Sequence, residues 1–578
     1  MTFTQWLFFI VIVQVIHGLG TWKLYIKAGR KAWEAFVPVY NAVVLMKIIN
    51  RSVWWTPLLF IPIINLIMFP VVWVETARSF GKNSYIDTFL AVITLGFYNY
   101  YLNYVAEVSY VKDRDINPKS SSGEWVSSIL FAVVAATFVH TYFIQPYTIP
   151  SSSLEKSLLI GDFLFVSKMH YGARVPMTTV AAPMVHDTIP LMKKKSYLFS
   201  DNYEERGSSW LNKLQLPYMR LPAFEKIDRN EIVVFNQPAD TLLDMNDFTP
   251  NRNYYKPIDK KTNLVKRCVA VAGDSLEVRD GYVYINGVKN ELPDRAELQH
   301  YYTWTTNNDI TITPSFLEKY EIENFWRFYN IESRLWDDER IQKYLGENDR
   351  SYLKESSRDS LTVEVVGFIR YDEMLKLKME PITNKVNLNL TSRNAEIIKS
   401  LSNTVSVAQY SSQVYNPDMF PHDPAFIYNE DNFGPIYIPE AGKTIDLNLE
   451  VLPLYKRIIS EYEGNNLKVQ GNQIYINDEL ATSYTFKQDY YWMMGDNRHN
   501  SIDARAWGYT PFNHVVGKPV FIWLSIDKNG KGLNKIRWDR MFTTVHGTGE
   551  RVSYLIPFLV VLFGWFGYSK WRKRKKAV

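Results

Sequence analysis

Residues 125–162 read WVSSILFAVVAATFVHTYFIQPYTIPSSSLEKSLLIGD and join an apolar stretch to a serine-rich turn. The apolar stretch, Trp125–Ile144, has about the 20 residues that a helix needs to cross a bilayer. Pro150 restricts the backbone directly before the serines, so a hydroxyl would be held a few residues beyond the membrane exit. On composition alone, a plain turn is the better interpretation of these serines. The stretch therefore predicts a membrane-anchored domain, and other segments must decide whether a serine acts as a nucleophile.

Four further apolar stretches accompany this segment, and each is close to the length of a membrane span. Aromatic residues such as Trp54, Tyr100 and Trp565 lie near their edges, as in the interfacial belts of membrane proteins, which disfavours buried core helices. The first stretch has no basic flank before it and no small-residue cleavage pattern after it, so we expect an anchor rather than a removable signal. The four stretches are Trp6–Leu19, Val53–Val74, Ile86–Val108 and Val552–Tyr568.

Three basic segments predict the orientation of the chain in the membrane. Basic residues are enriched on the cytoplasmic side of membrane spans, so all three segments are expected there. With five spans, Met1 and residues 145–551 then lie on the opposite side, and the two ends of the chain agree independently. The segments contain Lys23, Lys27, Arg30, Lys31, Lys47 and Arg51, then Lys112, Arg114 and Lys119, and finally residues 570–576.

The composition excludes several classes of protein. The chain has 578 residues, more than one hydrophobic core needs, so several structural regions are expected. Its formal charge of +5 is small for this length and argues against a dedicated nucleic-acid binder. Cys268 is the one cysteine, which excludes an intrachain disulfide, a CxxC redox pair and a cysteine zinc cluster. The nine histidines form no HExxH pattern, so a metalloprotease is not supported.

The region after the fourth apolar stretch contains short runs in which apolar and polar residues alternate, which is typical of an antiparallel β domain. Residues 314–354 differ, because charged and aromatic residues recur at helical spacing, as in Phe325–Asn330 and Leu335–Tyr344. This change of pattern predicts an insertion. The predicted strands are Glu231–Phe235, Leu264–Val271, Leu276–Ile285, Leu467–Ile476 and Val515–Leu524.

Two further segments contain candidate chemistry. In NLVKRCVAVAGD, residues 263–274, alternation places Lys266 on the same face as Cys268 and Ala270. Burial would lower the pKa of this lysine from about 10.4 toward a range in which the neutral amine is a useful base. The commoner alternative is an edge lysine whose amine reaches solvent. Residues 493–508, MMGDNRHNSIDARAWG, are rich in turn formers and possible Asp–Arg pairs, and alone they could form only a stabilised loop.

In this order and behind a membrane anchor, the three segments resemble the type I signal peptidase (leader peptidase) family of serine/lysine dyad endopeptidases. The family's nucleophile motif is Pro-Ser-x-Ser-Met-x-Pro-Thr-Leu, and its base motif is Lys-Arg-x-x-Gly-x-Pro-Gly-Asp. Its third motif is Gly-Asp-Asn-Arg-x-Asn-Ser-x-Asp-Ser-Arg-x-Trp-Gly. Residues 229–235, RNEIVVF, are similar to the family strand Arg-Gly-Asp-Val-Val-Val-Phe. The resemblance covers about residues 145–235, 264–287 and 490–524.

Transferred residue by residue, the resemblance implies a role for each motif position. Ser153 would be the nucleophile and Lys266 the general base. The Ser151 hydroxyl and the backbone N–H of Ser153 would form the oxyanion hole, and Ser501 would orient the Lys266 amine. Such a dyad needs neither a metal nor a cofactor. The loop that carries Ser501 would be supported by Asp496, Asp503 and Arg505.

The sequence departs from the family motifs at positions around these residues, which affects the shape of the pocket more than the reaction. Leu154 replaces a Met, Lys156 a Pro, Ala270 a Gly, Ala272 a Pro and Ala504 a Ser. The four positions that carry the chemistry are retained.

Two alternatives remain open. Residues 153–156, SLEK, also satisfy the Ser-x-x-Lys pattern of penicillin-interacting acyl enzymes, whose mechanism needs a Lys-Thr-Gly element as well. The nearest candidate, Lys443-Thr444-Ile445, lacks the glycine. The second alternative is a non-catalytic, membrane-anchored assembly module, in which Ser153 and Lys266 could both be replaced without loss of function.

The resulting fold prediction is a multi-pass α-helical membrane region plus a mainly β extracytoplasmic catalytic domain, signal-peptidase-like, with a large α+β insertion. The resemblance implies a protein of the bacterial inner membrane that cleaves signal peptides from exported preproteins on the periplasmic side. Its partners would be preprotein signal peptides and membrane lipid, and not nucleic acid. The predicted regions are 1–124 (three spans), 125–144 (fourth span), 145–289 and 490–550 (catalytic core), 290–489 (insertion), 551–569 (last span) and 570–578 (basic cytoplasmic tail).

Overall fold

The computed structural model describes residues 1–117, 120–190, 192–242, 252–347 and 352–576. Lys119, which belongs to one of the predicted basic segments, lies outside these ranges. The N-terminal part is helical, and its helices share an apolar core that includes Leu24, Leu45, Met68 and Leu102. The helices are α1 (Phe3–Lys27), α2 (Tyr40–Ile48), α3 (Ile64–Ser79), α4 (Tyr85–Ile93), α5 (Tyr98–Tyr104) and α6 (Ser121–Tyr142).

Helix α1 contains the first predicted span, and α6 contains the fourth except for its last two residues, since Ile144 already begins a strand. Among the residues that the structure describes, these two helices are long and apolar enough to cross a bilayer. In their most apolar windows, only 22% of α1 and 6% of α6 is buried within the protein. Their apolar side chains therefore face outward, which a helix inside a globular core would not do.

The second and third apolar stretches do not form single helices, in contrast to the prediction. Between Val53 and Val74 the chain makes short 3-10 turns, and α3 begins only at Ile64, after Pro57 and Pro62. Between α4 and α5, Leu95 and Gly96 adopt positive φ angles and end the first helix. At 16 residues, α3 is about 24 Å long, which is less than the thickness of a bilayer core.

The β domain follows α6 directly. Its sheet has the strand order β1-β2-β24-β5-β6-β22-β23, in which β22 (Tyr490–Met494), β23 (Thr510–Pro511) and β24 (Val515–Ser525) come from the end of the region, so strands from both ends pair in one layer. The predicted strands near residues 231 and 264 are present with small shifts at their ends, whereas Leu276–Ile285 forms a two-stranded hairpin that turns at Asp280 and Gly281. Residues 144–289 form β1 (Ile144–Thr148), β2 (Asp162–Ser167), β3 (Thr188–Ile189), β4 (Lys194–Lys195), α7 (Trp210–Lys213), β5 (Ile232–Asn236), β6 (Asn263–Ala270), β7 (Ser275–Arg279), β8 (Tyr282–Ile285) and β9 (Val288–Lys289).

Residues 299–409 form a separate sheet with the order β12-β13-β11-β14-β10-β15 and helices beside it. Phe325–Asn330, predicted to be helical, belongs to strand β11, because its neighbours β13 and β14 supply partners on both sides. The elements are β10 (Gln299–Thr306), α8 (Pro314–Lys319), β11 (Phe325–Glu332), α9 (Ser333–Trp336), α10 (Glu339–Glu347), β12 (Tyr352–Arg358), β13 (Thr362–Phe368), α11 (Tyr371–Lys376), β14 (Glu380–Thr391), α12 (Ser392–Lys399) and β15 (Thr404–Gln409).

The remaining residues return to the β domain and then enter the last helix. The predicted strands near residues 467 and 515 are present here, the first as a two-stranded hairpin. The elements are β16 (Phe433–Tyr437), β17 (Thr444–Asp446), α13 (Leu452–Arg457), β18 (Leu467–Gln470), β19 (Gln473–Ile476), β20 (Glu479–Leu480), β21 (Ser483–Thr485), β22 (Tyr490–Met494), α14 (Ala504–Trp507), β23 (Thr510–Pro511), β24 (Val515–Ser525), β25 (Thr543–Thr544) and α15 (Leu555–Lys576).

The segment 290–489, predicted as one insertion, divides into two parts. Residues 299–409 have their own sheet, whereas β16 pairs with β7 of the main β domain. Phe433 also shares an apolar cluster with Val278 and Trp492, so residues after about 420 pack as part of that domain. In the following, "the inserted subdomain" means residues 299–409.

Candidate active site

The turn that carries Ser153 is held by apolar residues on either side of it. Ile149 and Leu154 are 4% and 2% exposed and lie in one apolar cluster with strand β2. Residues 152–154 form a short 3-10 turn, in which Ser153 is buried at 9% exposure. The side chain of Ser151 is exposed and makes no capping hydrogen bond. In the structure, the hydroxyls of Ser151, the predicted oxyanion-hole residue, and Ser153, the predicted nucleophile, thus form no hydrogen bond with another described residue.

Lys266 lies on β6, opposite Val233 of β5 and beside the serine turn. It is only 5% exposed, and burial lowers its pKa from 10.5 to about 8, although the carboxylate of Asp503 acts in the opposite direction. Within the described residues, neither its amine nor the Ser153 hydroxyl forms a hydrogen bond. Of the two environments that the sequence pattern allowed for Lys266, the structure shows the buried one. Its amine does not reach solvent as that of an edge lysine would.

The loop after β22 brings the third motif onto the serine turn. The backbone N–H of Asn497 donates to the Ser153 carbonyl (3.1 Å), and Nδ2 of Asn500 donates to Oγ of Ser152 (2.7 Å). Gly495 is packed so tightly that an added Cβ would lie 2.3 Å from Oγ of Ser501 and 2.5 Å from the Ser153 carbonyl oxygen. Ser501 and the serine turn are therefore neighbours across Gly495.

Two buried ion pairs support this loop. Asp496 accepts two hydrogen bonds from Arg267 at 2.7 and 2.6 Å, and Asp503 pairs with Arg505 at 2.8 Å. Asp503 also accepts the backbone N–H of Gly495 at 3.0 Å. Charged groups this deeply buried are stable only when paired, so each pair holds its part of the loop in one arrangement.

Ser501 itself has a buried hydroxyl, for which the described part of the chain provides no hydrogen-bond partner. The predicted bond from Ser501 to Lys266 is not formed in this structure. Catalytic hydrogen bonds are often long without substrate and tighten when it binds.

Sequence reasoning missed three residues of this arrangement, namely Arg267, Asn497 and Asn500. All three lie inside the motifs already quoted, directly beside predicted site residues. Their positions in the motifs could have identified these residues as candidates. The sequence could not have predicted their partners, because Arg267 and Asp496, for example, are 229 residues apart.

The lysine of the Ser-x-x-Lys alternative has a different environment. The amine of Lys156 lies 3.7 Å from carboxylates of both Glu321 and Glu323 and forms ion pairs with them, away from the Ser153 turn's contact with Lys266. Lys443 is 62% exposed, and Thr444 lies on β17, which pairs with β21 and not with the main sheet. The structure therefore does not assemble the elements of that alternative. No group of three or more His, Cys, Asp or Glu side chains in the described ranges is placed to hold a metal ion.

A serine turn, a buried lysine and a loop of buried ion pairs thus lie side by side in the β domain. Comparison with known proteins shows the family. The model of the signal peptidase, peptidase S26 family matches residues 122–332 and 444–524, just over half of the chain. The chain belongs to this family, and at that level it is a signal peptidase. A family of unknown function (DUF5684) matches residues 33–113.

Individual relatives carry the name signal peptidase I, at low identity over long alignments and at higher identity over one short stretch. Signal peptidase I of Helicobacter pylori (strain J99) is 21% identical over 434 residues, which cover 73% of this chain and 91% of the relative. Signal peptidase I of Haemophilus influenzae is 27% identical over 437 residues, covering 74% and 78%. Signal peptidase I of Buchnera aphidicola (subsp. Acyrthosiphon pisum) is 59% identical over 39 residues, covering 7% and 12%.

Proposed function

We propose that this chain cleaves N-terminal signal peptides from exported preproteins, with Ser153 as the nucleophile and Lys266 as the general base. The burial of Lys266 carries the proposal. Because its pKa is about 8, a neutral amine is available near physiological pH, beside a serine whose hydroxyl needs a base. The family supplies the class of substrate.

In this mechanism, Oγ of Ser153 attacks the carbonyl carbon of the scissile bond while its proton passes to Nζ of Lys266. The resulting oxyanion would accept hydrogen bonds from the Ser151 hydroxyl and the backbone N–H of Ser153. When the intermediate collapses, the amine of the mature protein leaves with the proton from Lys266, and the signal peptide remains as an ester on Ser153. Water, deprotonated by the same lysine, then hydrolyses the ester. Ser501 would orient the amine throughout.

The direct test is incubation of the purified full-length protein with a preprotein, followed by sequencing of the new N-terminus. We expect one cut at the end of the signal peptide, and no acylation of Ser153 by labelled penicillin. Acylation by penicillin would favour the Ser-x-x-Lys alternative. A preprotein left intact under conditions where a known signal peptidase cuts it would favour the assembly module.

The pH dependence of cleavage tests the base. Only neutral Lys266 can accept the Ser153 proton, so kcat/KM should rise with pH through about 8 and level off above it. The measurement is kcat/KM on a preprotein between about pH 6 and pH 10.5, because the pH dependence of this ratio reports the pKa of the base in the free enzyme. A profile that rises only near about pH 10.4, where a solvated lysine titrates, would remove Lys266 as the base.

We also propose that the β domain lies outside the cytoplasm. The N-terminus of α1 is at the β domain, since Met1 donates to the carbonyl of Lys213 and Trp6 to that of Gln215, both at 3.0 Å. Helix α6 ends where β1 begins, and α15 begins where the β domain ends. All three helices thus have one end at this domain, and their other ends adjoin basic segments. Helix α1 ends, and α6 begins, at a basic segment that we place in the cytoplasm. The stretches 53–74 and 86–108 between them must therefore cross the membrane an even number of times in total, or not at all.

In this arrangement the catalytic unit is built from 145–289 and 490–550, with residues from about 420 to 489 packed against it, and is anchored by 125–144 and 551–569. Cysteine labelling in intact cells tests the orientation. In a Cys268→Ser background, Ser208→Cys should react with a membrane-impermeant maleimide, whereas Lys31→Cys and Lys573→Cys should react only after lysis, because the basic segments face the cytoplasm. Labelling of Lys573→Cys in intact cells would contradict the topology, and protection of Ser208→Cys before lysis would contradict the mechanism as well.

A further inference from the structure

The inserted subdomain is joined to the catalytic loop through the backbone. Gln299, the first residue of β10, pairs with Asn497 in a parallel bridge. Its N–H donates to the carbonyl of Asp496 at 3.0 Å, and its carbonyl accepts the N–H of Arg498 at 2.9 Å. The loop that contacts the Ser153 turn therefore extends the sheet of the inserted subdomain.

A buried side chain of the inserted subdomain reaches the same loop residue. Asn389 on β14 is fully buried, and its Nδ2 donates to Oδ1 of Asn497 at 2.9 Å. Because Oδ1 of Asn497 accepts this bond, its Nδ2 must point the other way, where it donates to the Ser152 carbonyl at 3.3 Å. The N–H of Asn497 meanwhile holds the Ser153 carbonyl. One residue, Asn497, thus connects β14 to two successive carbonyls of the nucleophile turn, through its side-chain amide and its backbone N–H.

A histidine forms a second connection. Nδ1 of His499 accepts the backbone N–H of Tyr301 at 3.0 Å, and its Nε2 lies 2.8 Å from Oδ1 of Asp431. A backbone N–H can only donate, so the ring proton must be on Nε2, which donates to Asp431. His499 is therefore held from two directions, two residues before Ser501.

We propose that the inserted subdomain positions the nucleophile, and that Asn389 is a positioning residue for Ser153. The inference rests on the proposed function of Ser153. Without the donor at residue 389, the Asn497 amide can rotate and release the Ser152 carbonyl, so the turn carrying Ser153 loses one of its anchors. Displacements of about 1 Å in such groups can lower a rate by about 10²-fold. The subdomain would then be required for turnover although it contributes no reacting group.

The test compares Asn389→Leu with Asn387→Leu. Asn387 lies on the same face of β14, is equally buried, and accepts a hydrogen bond from Thr303 within the subdomain. Both variants should lower the thermal unfolding midpoint of the full-length protein similarly. We expect Asn389→Leu to lower kcat on a preprotein by about tenfold or more with KM within about twofold, and Asn387→Leu to leave both nearly unchanged. If Asn389→Leu does not accumulate, Asn389→Ser replaces it.

A double variant shows whether the effect passes through Asn497. If Asn389 acts by orienting that amide, Asn389→Leu combined with Asn497→Leu should be no slower than Asn497→Leu alone. Equal kcat for the two β14 variants, or additive losses in the double variant, would overturn the proposal. Failure of the proposed function would give a different result. In that case the unmodified protein would not cleave the preprotein, or the Ser153→Ala variant would still cleave it.

Discussion

Ser153→Ala and Lys266→Ala should each reduce preprotein cleavage by about 10⁴-fold or more, because the hydroxyl and its base act as one unit. For the same reason, the double variant should be no slower than either single variant. The measurement is single-turnover cleavage of a preprotein by purified variants, with the cut product quantified over hours so that slow residual activity is seen.

A buried lysine outside the site provides the control. Lys260 is as buried as Lys266, at 5% exposure, and its amine donates to the carbonyl of Val185. Lys260→Met therefore tests the cost of removing a buried lysine from the fold, and we expect its cleavage rate to stay within about threefold of the unmodified protein after correction for folded fraction. Substantial turnover by Ser153→Ala or Lys266→Ala, free of host enzyme, would reject the dyad.

Gly495→Ala should lower kcat by about 10²-fold or more, although it adds a single methyl group. The new Cβ would lie 2.3 Å from Oγ of Ser501 and 2.5 Å from the Ser153 carbonyl oxygen, so one or both must move. Because the carbonyl is backbone, it cannot swing aside as a flexible side chain could, and the displacement reaches the nucleophile directly. Steady-state kinetics with a preprotein, together with the thermal unfolding midpoint, provide the measurement.

Gly207→Ala is the matched control for this substitution. A Cβ at Gly207 would meet no atom within 4 Å, so neither kcat nor the unfolding midpoint should change appreciably. The loss of activity reports on the site only if Gly495→Ala remains folded. A serine at this position would clash more than alanine, because its side chain is larger. Limited proteolysis of Gly495→Ala is therefore measured first, and a folded, fully active Gly495→Ala protein would contradict the packing described here.

Local patterns predicted the parts of the fold that depend on a few neighbouring residues. The short apolar runs identified β5 and β6, although the structure buries all of β5 and residues 266–270 of β6 on both faces rather than on one. The pattern failed at Phe325–Asn330, where aromatic residues at helical spacing belong to strand β11. The position of β11 between β13 and β14 decided its conformation, and those partners come from residues 362–391.

The sequence by itself determined the candidate chemistry: Ser153, Lys266 and Ser501 lie in three short motifs whose order and spacing resemble one family. Only the tertiary structure decided that Lys266 is buried with a lowered pKa, that Arg267 pairs with Asp496, and that Asn389 reaches Asn497. The reason is physical. A motif specifies which groups are available, whereas desolvation and hydrogen bonding depend on atoms that packing brings together from positions more than 100 residues apart.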